Sequence, residues 1–128
     1  MKKFKKIFGF IGICLAFVFF LASCSNVSKD YADKINNAYK NQTTMKYDDV
    51  KKDLGDECLD ITTNQNGLLI AVKGIKAVEC REKLANAKPE DRFEFISVTV
   101  IVGNCTYALY ANATAGEILA SINSQNIN

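Results

Sequence analysis

Histidine is absent from this 128-residue chain, and proline occurs only once. Without histidine there is no Ser-His-Asp or Cys-His arrangement and no H-E-x-x-H motif, so the commonest activated nucleophiles and catalytic zinc sites are excluded. A G-x-x-x-x-G-K-[ST] loop is also missing, which removes support for NTP hydrolysis. No Pro/Gly-rich linker divides the chain. These absences predict a noncatalytic protein without a cofactor.

The N-terminus, by contrast, is strongly patterned. Four lysines within residues 1–6 precede an apolar run from Ile7 to Ala22, which is shorter than a comfortable membrane-spanning helix. The run ends on a sequence typical of a lipobox, in which the cysteine sulfur takes a diacylglycerol before cleavage: Leu21, Ala22, Ser23 and Cys24. We therefore predict a lipoprotein signal peptide over residues 1–23 and a lipid anchor on Cys24, facing outside the cytoplasm at the cell membrane. The alternative is an uncleaved anchor with an incidental cysteine.

Removing residues 1–23 changes the charge of the chain. The remaining 105 residues carry 12 basic and 14 acidic side chains, so the net charge falls from +2 to −2. A slightly acidic body without clustered arginines gives no electrostatic basis for nucleic-acid binding. Its length suits one domain with a modest core. We assign residues 24–29 to a lipidated tether, 30–123 to a single α+β domain and 124–128 to a frayed tail.

Hydrophobic spacing divides the body into helices and strands. Helices are predicted over 30–39, 47–54 and 76–87, and a short last helix follows Thr114 and Glu117, which resemble a capping box. Strands are predicted over 58–63, 68–73, 93–102 and 105–111, with turns at 64–67 and at Gly103-Asn104. The strand 93–102 is expected to be central, with Val102 on the same face as Ile96, Val98 and Val100. The fold class is α+β: two N-terminal helices packed on a small antiparallel sheet of three to four strands, with one further helix before the last hairpin.

Three cysteines remain in the body besides Cys24, namely Cys58, Cys80 and Cys105. An exported protein allows one disulfide plus a free thiol, whereas three small buried hydrophobic residues explain the same cysteines equally well. No C-x-x-C pair is present, so the usual zinc spacings are missing and we predict no metal site.

Two further residue groups invite a functional interpretation. Acidic residues crowd one region without the D-x-[DN]-x-[DN]-G spacing of a calcium loop, so a solvated acidic face is the simpler prediction. That group comprises Asp48, Asp49, Asp53, Asp56, Glu57 and Asp60. Tyr47, Tyr107 and Tyr110 either anchor a partner or pack within the fold.

The stretch from Met45 to Gly55, MKYDDVKKDLG, resembles the helix of the BamE (SmpA/OmlA) and β-lactamase-inhibitor-like superfamily, which reads M-T-x-[DE]-x-V-x-x-x-L-G. Val50 and Leu54 match its core positions and Gly55 its helix stop, while Lys46 stands where the family has a capping Thr. The resemblance implies a small lipid-anchored domain that binds another protein through its sheet or helical edge, without catalysis.

The sequence thus favours a membrane-anchored lipoprotein with a protein or envelope partner and no nucleic acid. Two alternatives remain open. One is an exported thiol or redox protein that uses Cys58, Cys80 or Cys105, and the other is a small-ligand carrier.

Overall fold

The structure, a computed structural model, describes residues 25–124. Within them, four α-helices and a four-stranded antiparallel sheet confirm the predicted α+β class. The elements in chain order are α1 (Lys29–Lys40), α2 (Tyr47–Leu54), β1 (Cys58–Thr63), β2 (Asn66–Val72), α3 (Ala77–Ala85), β3 (Arg92–Ile101), β4 (Asn104–Thr114) and α4 (Ala115–Ser124). A 3₁₀ turn, Gly55–Glu57, joins α2 to β1. None of the helices described is long and apolar enough to cross a membrane.

The strands follow one another across the sheet in the order β1-β2-β3-β4, so each pairs with its neighbour in the chain. The β-branched strand β3 pairs on both sides, as its composition predicts. A register shift between Thr99 and Val100 marks a β-bulge in the pairing of β3 with β4. The edge strands are β1 and β4.

Helices α1 and α2 cover one face of the sheet, which we call the inner face. The apolar stripe of α1 buries Tyr31 and Ile35, and α2 buries Val50 and Leu54. They meet a row of sheet residues that are at most 9% exposed: Cys58, Leu69, Ala71, Ile96, Val98, Val100, Cys105 and Ala108. Burying one such aliphatic side chain contributes about 1.5–3 kcal/mol, so this layer supplies much of the stability.

Helices α3 and α4 pack on the opposite face, which we call the outer face, and on each other. Cys80 and Leu84 of α3 and Ile118 and Ile122 of α4 are buried here. Their partners in the sheet include Ile70, Val72, Phe95 and Ala113. These sheet residues lie toward the end of β2, the start of β3 and the end of β4, so the helices cover mainly that half of the outer face.

The predicted tether is wrong for residues 25–28, because they pack against the domain. Val27 is completely buried in the inner core. The Ser25 hydroxyl donates to Glu57 Oε1 at 2.9 Å, and the Ser28 side chain caps α1 by accepting from the Tyr31 N–H at 3.1 Å. The folded body therefore begins by Ser25, immediately after Cys24.

The predicted turn between β3 and β4 is displaced by one residue. The turn residues are Val102 and Gly103, with φ of +48° and +77°, and Asn104 begins β4. Val102 consequently leaves the inner face and is 69% exposed. The turn predicted at 64–67 is also shorter than expected, because Asn66 pairs with Thr63 and begins β2. Two other local predictions agree with the structure: Gly55 ends α2 at φ +66°, and Thr114 and Glu117 form a capping box in which the Glu117 N–H donates to Thr114 Oγ1 at 3.3 Å.

Candidate interaction surface

The half of the outer face that α3 and α4 leave uncovered is the main candidate site. Four side chains lie directly across the four strands in register, Ile61 on β1, Leu68 on β2, Thr99 on β3 and Tyr107 on β4. With Ile101 and Leu109 on the same side, these six residues form what we call the open face. Side chains alternate across a strand, so the residues opposite them on β3 point into the inner core.

Exposure of large apolar side chains is concentrated here. Among residues 25–124, six large hydrophobic residues are exposed, and four of them belong to β3, β4 or their turn. These four are Ile101 at 51%, Val102 at 69%, Tyr107 at 54% and Leu109 at 44%. Single exposed apolar residues are common, but a contiguous group on a sheet indicates an interaction surface.

The open face carries no charge. On the outer side of this half of the sheet, β3 presents Ser97 and Thr99, and the neighbouring strands present aliphatic residues or tyrosine. The nearest acidic strand residue, Asp60, points to the inner side, where it bonds α2. A partner therefore meets apolar groups and short hydroxyls rather than a charged patch.

Val102 adds backbone strain beside the open face. A β-branched residue with φ of +48° is rare, because its side chain crowds its own backbone in the left-handed region. Neighbouring polar groups hold it there: the Val102 N–H donates to Asn66 Oδ1 and the Gly103 N–H to the Gln65 carbonyl, both at 2.9 Å. Such strain persists where surrounding contacts determine the backbone, which is frequent at functional sites.

The long edge strand β4 does not offer a free backbone for strand addition along its length. The side-chain amide of Asn36 on α1 bonds both backbone groups of Ala108: it donates to the Ala108 carbonyl and accepts from the Ala108 N–H, at 2.8 Å each. Nearer the start of β4, the Cys105 N–H donates to the Met45 carbonyl at 2.9 Å. Toward its end, Arg92 donates to the Asn112 carbonyl at 2.6 Å.

The short edge strand β1 is protected by charge. Asp60 accepts from the Thr62 N–H at 3.1 Å and from the Thr62 hydroxyl at 2.6 Å, and Lys51 Nζ lies 3.0 Å from its other oxygen. The Tyr47 hydroxyl donates to the same carboxylate. Burial acts to raise the pKa of Asp60, but the hydrogen bonds from Thr62, Tyr47 and Lys51 together outweigh it and lower that pKa. The cluster fastens α2 to β1, and the charges of Asp60 on β1 and Lys51 on α2 lie at this edge strand, where charged side chains discourage pairing.

The three cysteines are buried, and none is bonded to another in the described part of the chain. Cys58 and Cys105 share the inner core but lie on opposite edge strands, and Cys80 lies in the outer core beyond the sheet. Burial raises the pKa of Cys58 to about 12 and that of Cys105 to about 11, and it raises the pKa of Cys80. Since the thiolate is the reactive form, burial lowers the reactive fraction of each of these thiols.

The acidic residues near α2 do not converge. Asp53 accepts from the Tyr31 hydroxyl at 2.7 Å, Glu57 accepts from Ser25 and from the Gly74 N–H, and Asp60 holds Lys51. Among residues 25–124 no group of three or more His, Cys, Asp or Glu side chains is arranged to hold a metal ion.

The three tyrosines singled out from the sequence separate in the structure. Tyr47 bonds Asp60, and Tyr110 is partly packed on the inner core with its hydroxyl donating to Glu94 at 2.6 Å. Tyr107 alone of the three lies on the open face. Sequence reasoning missed Ile101 and Leu109, because alternation shows that they face away from the inner core but not that helices leave them uncovered.

An open groove of about 630 Å³ lies at the other end of the outer face. It is lined by Ile75, Glu79, Glu82, Lys83, Asn86 and Phe93. Glu79 and Lys83 on its wall form an ion pair at 2.7 Å and so satisfy each other. Glu82 and Asn86 are the other polar residues of its lining.

The predicted lipobox, Leu21, Ala22, Ser23 and Cys24, lies outside the described residues. No family model, curated protein or solved structure matches the chain. Val50 and Leu54 are buried, and Lys46 at the N-cap of α2 makes no side-chain hydrogen bond to the helix. The family resemblance itself stays a prediction.

Proposed function

We propose that this chain is a membrane-anchored extracytoplasmic lipoprotein whose noncatalytic domain binds a protein or envelope component through the open face. The observation that carries the proposal is the uncharged, contiguous apolar surface left uncovered by α3 and α4. Protein-binding surfaces combine such apolar centres with aromatic anchors, and Tyr107 supplies one.

The position of the N-terminus supports this use of the surface. Ser25, the residue after the proposed lipid attachment site, is held by Glu57 beside the start of β1. The strands run away from that end, and the ten residues of β3 span about 33 Å. With two acyl chains on Cys24, the open face and the strained turn at Val102 would lie at the end of the domain that is distal from the bilayer, where partners outside the membrane can reach them.

The surroundings of the cysteines do not favour the thiol alternative, because burial raises the pKa of Cys58 and Cys80 by more than the charges of Lys51 and Arg81 lower it. A reactive cysteine is partly exposed and has a positive neighbour that lowers its pKa. Cys58, Cys80 and Cys105 are buried, and burial raises the pKa of each.

The test uses two tyrosines of nearly equal exposure. A photo-crosslinking amino acid is placed at Tyr107, which is 54% exposed on the open face, or at Tyr39, which is 51% exposed on α1. Full-length protein is irradiated in its native membranes, beside a Cys24→Ala version that should lose the lipid. We expect one protein to be captured from position 107, not from position 39, and only when the anchor is intact.

If the crosslinker captures the same protein equally at positions 107 and 39, that protein meets this chain by random collision and does not bind the open face. If Cys24→Ala stays in the membrane fraction, the lipid anchor is wrong, whatever the crosslinks show.

A further inference from the structure

The chain has no slack between the proposed lipid attachment site and the folded domain. Cys24 is joined directly to Ser25, and consecutive Cα atoms are about 3.8 Å apart. The next residues are held in place, because the Asn26 side chain donates to the Asp53 carbonyl at 2.9 Å and Val27 is completely buried. The headgroup layer on each side of a bilayer is about 5–8 Å thick. With the acyl chains of Cys24 inserted, Ser25 therefore lies in or against the headgroups.

Glu57 brings a second segment of the chain to the same place. Its carboxylate accepts from the Ser25 hydroxyl and from the Gly74 N–H, at 2.9 Å each. Gly74 belongs to residues 73–76, which connect β2 to α3 and which we call the anchor-side turn. The turn presents two exposed lysines, Lys73 and Lys76, and two residues of chain span at most about 7 Å. One carboxylate thus holds a basic turn beside the residue that follows the lipid.

We infer that Glu57 seats the anchor-side turn in the headgroup layer of the membrane, as a second contact beside the lipid. The inference rests on the lipid anchor of the proposed function. A phospholipid surface suits this turn, because lysine ammonium groups are attracted to headgroup phosphates and reach them on long side chains. A lipid alone leaves the domain free to tilt, whereas two contacts fix its orientation. The open face then stays at the distal end of the domain, clear of the bilayer.

The turn orients the domain but does not anchor it. Acidic side chains offset part of its charge: Glu94 Oε1 lies 3.7 Å from Lys73 Nζ, and the exposed Asp56 is adjacent to Glu57 in the chain. Two partly balanced lysines fall short of what stable membrane attachment needs. The protein without its lipid is therefore expected to leave the membrane, which distinguishes this contact from an independent membrane-binding site.

An introduced tryptophan tests the inference, because the chain contains none of its own. Lys76→Trp places the probe on the turn, and Tyr107→Trp places it on the open face. The lipidated protein is bound to phosphatidylglycerol vesicles in which some headgroups carry a nitroxide quencher. From Tyr107 to the end of β4 at Thr114 the strand covers about 23 Å. Since nitroxide quenching acts only at short range, we expect about fivefold more quenching at 76 than at 107.

Equal quenching at the two positions would overturn the inference. So would an unquenched tryptophan at 76 in a protein that stays bound to the vesicles, and that result would leave the lipid anchor in place.

Removing the bridge provides the second arm. In the Lys76→Trp protein, Glu57→Ala should abolish most of the quenching, whereas Asp56→Ala, at the neighbouring exposed carboxylate, should leave it unchanged. If circular dichroism shows Glu57→Ala unfolded, Glu57→Gln takes its place; it keeps one acceptor oxygen and should reduce the quenching in part. Undiminished quenching after loss of the Glu57 carboxylate would overturn the inference. Cys24→Ala should release the protein from the vesicles, and its retention would instead overturn the lipid anchor of the proposed function.

Discussion

The inner and outer faces of the sheet are built from the same four strands, yet helices cover almost all of one and only half of the other. On the inner face β3 presents Ile96, Val98 and Val100, none more than 1% exposed. On the outer face the same strand presents Phe95, which is buried, then Ser97 and Thr99, which are half-buried, and then Ile101, which is exposed. The inner face thus stabilises the fold, and the far half of the outer face is available for recognition.

The largest effect on stability is expected when the inner core and the open face each lose one isoleucine side chain. Ile35→Ala on α1 empties a fully buried site in the inner core, and we expect a loss of about 2–5 kcal/mol in the free energy of unfolding. Ile101→Ala removes a side chain that is 51% exposed, and should cost less than about 1 kcal/mol. Urea denaturation of the two proteins measures both values. Similar losses would show that the open face is structural and would remove the basis for treating it as a binding surface.

The inner face was predictable from the sequence for a physical reason. The spacing of Tyr31 and Ile35, the acidic first turn of α2 and the helix stop at Gly55 are local signals, and each acts within one or two turns of helix. The order of the strands follows from their short connections. Helix and strand positions therefore agree closely with the structure.

The open face was not predictable, because it depends on tertiary relations. Alternation along β3 shows which residues face away from the inner core, but not how far α3 and α4 extend over them. The bulge between Thr99 and Val100 and the left-handed Val102 shift the turn by one residue, and the sequence carries no glycine or asparagine at 102 to indicate it. Residues 25–28 were assigned to a tether because they are mostly polar, although Val27 is buried.

A second test concerns how the inner helices are fastened to the sheet. Asp60→Asn removes the charge that holds Lys51 and should cost about 1 kcal/mol at pH 7. The pKa of Asp60 is lower in the folded protein than in the unfolded chain, so its contribution is complete above about pH 5 and is lost as the pH falls through the folded-state pKa, below about 3.9. Unfolding curves of wild type and Asp60→Asn should therefore converge in acid.

The control for Asp60 is an exposed ion pair on the same face. Asp33→Asn breaks the contact between Asp33 and Lys29 on α1, where the Asp33 side chain is 50% exposed, and should cost less than about 0.5 kcal/mol. If the two variants are equally stable at pH 7, the Asp60 cluster does not fasten α2 to β1.

At the strained turn the sign of the effect is more informative than its size. Val102→Gly relieves a left-handed conformation that costs about 1–2 kcal/mol, while glycine gives the unfolded chain extra freedom worth about 0.4–1 kcal/mol. The net result is a gain of between zero and about 1.6 kcal/mol in the free energy of unfolding, measured by urea denaturation. Val78→Gly, at a valine that is 93% exposed on α3, should instead lose a few tenths of a kcal/mol, because glycine is the poorer helix former. If the protein becomes more stable when Val102 is replaced, the valine lowers the stability of the fold. A residue that lowers stability is expected where its side chain contacts a partner.

Destabilisation by Val102→Gly would mean that the valine contributes to the fold, and the strain beside the open face would then carry no functional meaning.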